Sequence, residues 1–128
     1  MNPVVHFEAP YADGERLAKF YKDAFGWQIT MMGEDMGNYI LATTTETGDS
    51  GPKKPGVING GFFPKDGAPM TGPSFVIQVE NIAGATQRVK DSGGKVLGEP
   101  VDIPGVGLYI LFVDTEGNKL SMLQPAQR

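Results

Sequence analysis

The chain has 128 residues, no cysteine and one histidine, His6. Without thiols it can form no disulfide, no thiolate metal site and no cysteine nucleophile. With a single imidazole it cannot assemble the two-histidine, one-carboxylate site of a non-haem iron oxygenase within one chain. Positive charge is also scarce: eleven Lys and Arg face fifteen Asp and Glu, for a net charge of −4 and a pI near 4.9. That balance leaves no electrostatic footprint for nucleic acid or an anionic membrane. The one basic pair, Lys53-Lys54, sits among Gly and Pro and reads as a solvated loop. No apolar run reaches the roughly 18 residues that span a bilayer. The start, Met1-Asn2-Pro3-Val4-Val5-His6, lacks the basic-then-apolar layout of a signal peptide. The missing cysteines fit a reducing cytoplasm, which is the expected location. There is no Gly-x-Ser-x-Gly elbow and no P-loop. Gly105-Val106-Gly107 lacks the third glycine and the strand-then-helix setting of a dinucleotide site, so it reads as a hairpin turn.

What is present is an ordinary globular composition, 40% hydrophobic and 20% charged. The length suits one domain, residues 1–128, with most of its unfolded surface buried. Two stretches match at an offset of 68 residues. Asp13-to-Gly26 answers Asn81-to-Gly94, a helix cap at one end and a helix-ending glycine at the other. His6 aligns with Ser74, and Tyr39 recurs as Tyr109 at nearly the same offset. In the first copy, Val4–Ala9 reads as a strand ended by Pro10. A helix follows whose Leu17, Phe20, Tyr21, Ala24 and Phe25 make one buried stripe. Strands are expected over 27–32, 38–45 and 57–63, with Gly60-Gly61 marking a bulge or a close backbone approach. Residues 46–56 read as a loop, with a mobile lid as one reading. Residues 64–73, holding three prolines and two glycines, connect the modules. In the second copy, strands are expected over 74–80, 95–101, 107–113 and 119–124. Ile82, Ala85 and Val89 turn inward on its helix. Each half is β-α-β-β-β: module one is 1–66 and module two 74–128. Neither half is expected to close a core alone.

The order Val4-Val5-His6-Phe7-Glu8, Asp13-Gly14-Glu15-Arg16, Phe20-Tyr21, Phe25-Gly26-Trp27, Gly93-Gly94-Lys95-Val96, Ile103-Pro104-Gly105-Val106-Gly107 and Asp114-Thr115-Glu116-Gly117-Asn118 resembles the vicinal oxygen chelate superfamily. That group includes glyoxalase I, bleomycin-resistance proteins and extradiol dioxygenases. The resemblance covers nearly the whole chain. It implies an α+β fold of paired βαβββ modules, with curved mixed sheets around a central cleft and helices on the outside. It also implies a homodimer. Metal-dependent members take ligands from the first and last strands of each module. Carried over, the first position is His6, but its counterpart is Ser74, and Ser121 stands where the last strand usually has glutamate. Ile58-Asn59-Gly60-Gly61 offers no carboxylate. Three of the four ligands are therefore missing.

The remaining residues support several chemistries. His6 and Glu8 share one face of a strand, so they form a candidate acid–base pair, and His6 is the one side chain left for a metal. The plainer reading is a hydrogen-bonded histidine beside a solvated carboxylate. Ser74 and Ser121 with His6 and Glu8 supply the types of a serine nucleophile system, but small polar fillers explain them better. Tyr39 and Tyr109, with Trp27, Phe62 and Phe63 near, suggest an apolar cleft with a few polar groups, as a small-molecule site requires. Met31, Met32 and Met36 add adaptable contacts around a hairpin. The expected function is a small-molecule-binding protein of the glyoxalase/bleomycin-resistance type. Its ligand is organic, and no cofactor is expected, a divalent metal being disfavoured. His6, Glu8, Tyr39, Ser74, Tyr109 and Ser121 contact the ligand. The alternatives are a lyase or isomerase using His6 as acid or base, with or without a weakly bound divalent metal, and a non-catalytic dimerisation or regulatory module.

Overall fold

The computed structural model describes residues 1–127. The chain divides into two units, one of His6–Pro73 and one of Met1–Val5 with the chain from Ser74 onward. Both follow the βαβββ plan.

β1 (Val4–Tyr11), which belongs to the first unit from His6 onward, leads into α1 (Gly14–Phe25). Asp13 caps α1, its side chain accepting from Arg16 N–H, and Gly26 closes it in the left-handed conformation at φ 73°. The strands β2 (Gln28–Met31), β3 (Ile40–Thr43) and β6 (Asn59–Pro64) complete the sheet in the order β2-β3-β6-β1. β1 runs parallel to β6, and the other pairs are antiparallel. Pro10 does not end β1. The register continues through Pro10↔Phe63 to Tyr11↔Pro64, and Tyr11 C=O accepts from Lys65 N–H. Residues 46–56 are not a plain loop but hold a two-residue hairpin of β4 (Thr47–Gly48) and β5 (Gly51–Pro52), tied by Lys53 Nζ donating to Glu46 Oε1 at 3.1 Å.

The second unit repeats the plan. β7 (Ser74–Gln78), α2 (Ile82–Asp91), β8 (Lys95–Ile103), β9 (Gly107–Val113) and β10 (Lys119–Pro125) form a sheet in the order β7-β10-β9-β8. β7 is parallel to β10 and the rest are antiparallel. Asn81 caps α2 by accepting from Gly84 N–H, as Asp13 does for α1. Gly94 N–H reaches Val89 C=O at 2.9 Å and Gly93 N–H reaches Lys90 C=O at 3.2 Å, a Schellman closure with Gly93 at φ 97°. Pro3 C=O accepts from Gln78 N–H, which ties the first residues of the chain to this unit.

Each unit has a helix-on-sheet core. Under α2 lie Val79, Ile82, Ala85, Ile110, Phe112 and Met122. Under α1 lie Ile40, Ala42 and Phe62, with Phe7, Tyr21, Trp27 and Ile29 packed on them. Burying one such side chain contributes about 1.5–3 kcal/mol. The expected buried stripe of α1 is only partly so. Leu17 and Tyr21 pack inward, but Phe20 is 56% and Phe25 64% exposed, and no α1 residue is fully buried. Among the described residues no helix is long and apolar enough to cross a membrane.

Candidate functional site

The alternation of β1 sorts its side chains. Phe7, Ala9 and Tyr11 join the core under α1, so His6 and Glu8 stand on the opposite face. Ile40 faces the core as well, which turns its neighbour Tyr39 to the His6 side. A left-handed pair, Gly37 (φ 66°) and Asn38 (φ 55°), delivers Tyr39 to the start of β3. Tyr11 Oη pins that turn by donating to Asn38 C=O at 2.6 Å.

The three polar side chains are joined. Tyr39 Oη donates to Glu8 Oε2 at 2.9 Å and lies 3.0 Å from His6 Nε2. Tyr39 is on β3's entry and the other two are on β1, so the phenol must cross β6 to reach them. It does so over Gly61, the register partner of Glu8. A Cβ at Gly61 would lie 2.1 Å from the Tyr39 ring. Gly60 does the same on the other face, where a Cβ would meet the Phe7 ring at 2.4 Å. The expected feature at Gly60-Gly61 is therefore the close approach and not the bulge, since the register runs unbroken from Asn59 to Pro64. Burial, chiefly, holds the His6 imidazole below its ordinary pKa, while the Glu8 charge pulls it the other way. Glu8 is only 8% exposed; it is a hydrogen-bonded carboxylate and not the solvated one of the plainer sequence reading.

Ser74, Tyr109 and Ser121 belong to the second unit. Ile77, Ile110 and Met122 face α2, so these three residues stand on the sheet face turned from that helix. Ser74 Oγ donates to Lys119 C=O at 3.2 Å. Ser121 is wholly buried, and among the described residues its Oγ has no hydrogen-bond partner. Among the described residues neither serine is hydrogen-bonded to a base. Of the six residues proposed from sequence, the fold joins His6, Glu8 and Tyr39 into one hydrogen-bonded chain. Sequence reading missed Gly61 as a site residue, although the Gly-Gly pair within a strand pattern was its signal.

A metal does not fit the residues that stand at the ligand positions. His6 Nε2 is engaged by Tyr39. Asn59, register partner of His6, spends its side chain on Thr44 N–H at 2.9 Å and Thr47 Oγ1 at 2.7 Å. The other two positions are serine hydroxyls, which are weak ligands. Among the described residues no three His, Cys, Asp or Glu converge.

Comparison with known proteins gives the family and the fold. The Glyoxalase/Bleomycin resistance protein/Dioxygenase superfamily model matches residues 4–122, and the chain belongs to that family. A glyoxylase-like domain-containing protein of Didymella fabae is 34% identical over 113 residues, covering 87% of this chain and 84% of that one. Among solved structures, methylmalonyl-CoA epimerase of Mycobacterium tuberculosis superposes with a TM-score of 0.67 at 15% identity, covering 97% of this chain and 88% of that chain. A Streptomyces coelicolor methylmalonyl-CoA epimerase variant, solved with 2-nitronate-propionyl-CoA, gives 0.72 at 15% identity, covering 98% and 96%. At that identity the likeness is one of fold.

Proposed function

We propose that the protein is a metal-independent, small-molecule-binding member of the glyoxalase/bleomycin-resistance group, with an organic ligand. The observation that carries this is the His6–Tyr39–Glu8 chain. Three polar side chains are held in fixed order on the sheet face turned from α1, over a glycine that leaves room for the phenol. Preorganised polar groups are what orient a small ligand. Ser74, Tyr109 and Ser121, on the second unit's corresponding sheet face, are proposed as ligand contacts of that unit. By family resemblance the protein is proposed to work as a cytoplasmic homodimer.

A thermal-shift screen against 2-oxoaldehyde–thiol adducts, catechols and cationic glycopeptides tests the reading, with His6→Ala as control. A compound that raises Tm in the wild type and not in the variant supports it. Stoichiometric metal bound through His6, found by elemental analysis of protein purified without chelator, would overturn it.

A second reading, a lyase or isomerase with His6 as base, is favoured by one observation: burial keeps the imidazole below its ordinary pKa, so it is neutral and able to take a proton near pH 7. In that reading the imidazole takes a C–H proton, and the carbon keeps the electron pair until the proton returns. His6→Ala would then abolish turnover while leaving binding intact.

A further inference from the structure

We infer that Tyr39 is a positioning residue that holds His6 as its Nε2–H tautomer, leaving Nδ1 as the acceptor offered to a ligand carrying an N–H or O–H donor. A phenol has one proton. Tyr39 gives it to Glu8 Oε2 at 2.9 Å. The phenol oxygen is then an acceptor toward His6 Nε2 at 3.0 Å, and that contact is a hydrogen bond only if Nε2 carries the ring proton. A neutral imidazole has only one such proton, so Nδ1 keeps its lone pair. The opposite arrangement, Tyr39 donating to His6, would set two oxygens 2.9 Å apart with no proton between phenol and carboxylate. The ring cannot drift out of this arrangement easily, because it lies against the backbone of Gly61 and enters from the pinned turn at Asn38. Among the described residues Nδ1 makes no hydrogen bond of its own. A bare Nδ1 favours an ammonium, amide or hydroxyl over a carboxylate or phosphate oxygen, which has no proton to give.

This inference rests on reading that face as the ligand site, but its main test needs no ligand. His6 is the sole histidine, so the imidazole nitrogens of the whole protein give one spin system in a nitrogen-15 spectrum. The expected wild-type spectrum shows a protonated Nε2 and a bare Nδ1. Tyr39→Phe, which keeps the ring and loses the hydroxyl, should shift both nitrogens toward averaged values. Glu8→Ala frees the Tyr39 proton for Nε2, so the ring proton should move to Nδ1. Melting curves establish that both variants are folded. A wild-type proton on Nδ1, or two folded variants with the wild-type spectrum, overturns the tautomer assignment. Titration with methylammonium and with acetate then tests the ligand class. Methylammonium should move the Nδ1 resonance and acetate should not. The reverse order, or no response to either, overturns the ligand class and leaves the tautomer assignment standing.

Discussion

On the sheet face turned from its helix, the first unit carries an imidazole, a phenol and a carboxylate in one hydrogen-bonded chain. The same face of the second unit carries Ser74, Val76, Tyr109 and Ser121, and the buried Ser121 hydroxyl has no partner among the described residues. The helices differ in the opposite sense. α2 buries Ile82 and Ala85, whereas α1 buries nothing completely and leaves Phe20 and Phe25 half exposed or more. Strand order, strand direction and helix caps are shared by the two units. A backbone plan is thus insensitive to what the sheet face turned from its helix carries, because the helix-side core and the caps hold it. That face is where the copies have diverged in chemistry.

The largest effect expected from breaking that comparison lies in the first unit's helix-side core. Phe62→Ala removes a side chain 2% exposed and in ring contact with Phe7 and Tyr21, and should cost about 3–5 kcal/mol by denaturant titration. Phe20→Ala, on the exposed flank of α1, should cost about 1 kcal/mol or less. Equal losses would contradict the division between core and flank.

Gly61→Ala should be next, at about 1–3 kcal/mol, because the new methyl overlaps the Tyr39 ring. It should also break the His6–Tyr39 contact, seen as a change in the His6 nitrogen resonances. A variant with wild-type stability and resonances would show that the phenol does not need the glycine.

The pH dependence of His6 should be smaller still. Its folded pKa lies below the ordinary 6.5, so between the two values the unfolded chain binds more protons than the folded one. The stability His6 contributes is therefore full above 6.5 and is lost as the pH falls through the folded value. The difference in Tm between wild type and His6→Gln, followed downward from neutral pH, should shift against the wild type in that window. A constant difference would count against a buried neutral imidazole.

The smallest effect is expected at Ser121. Replacing a buried hydroxyl that has no partner among the described residues with Ser121→Ala removes a desolvation cost along with the group, so stability should hold within about 0.5 kcal/mol or rise. A loss of 2 kcal/mol would mean the hydroxyl has a partner after all.

Much of this was legible in the chain. The repeat predicted two βαβββ units, and Asp13, Gly26, Asn81 and Gly93-Gly94 predicted both helices nearly to the residue, because capping is local chemistry. The i, i+2 spacing put His6 and Glu8 on one face for the same local reason. Other expectations failed where neighbours decided. Pro10 stayed within β1 because the parallel pairing with Phe63 continues past it. The apolar stripe of α1 is only partly covered by the sheet, and Phe20 and Phe25 stay exposed. Residues 46–56 folded into a small hairpin that carried no strand signal in the sequence.

By itself the sequence determined the module plan, the helix ends and the absence of cysteine. All of these follow from residue identity and short-range spacing. Only the tertiary structure decided that Tyr39 lies between His6 and Glu8 and that Gly61 admits it there. Those contacts join residues some thirty positions apart through three strands. Their geometry depends on sheet register and on the space a missing Cβ leaves, which no local pattern encodes.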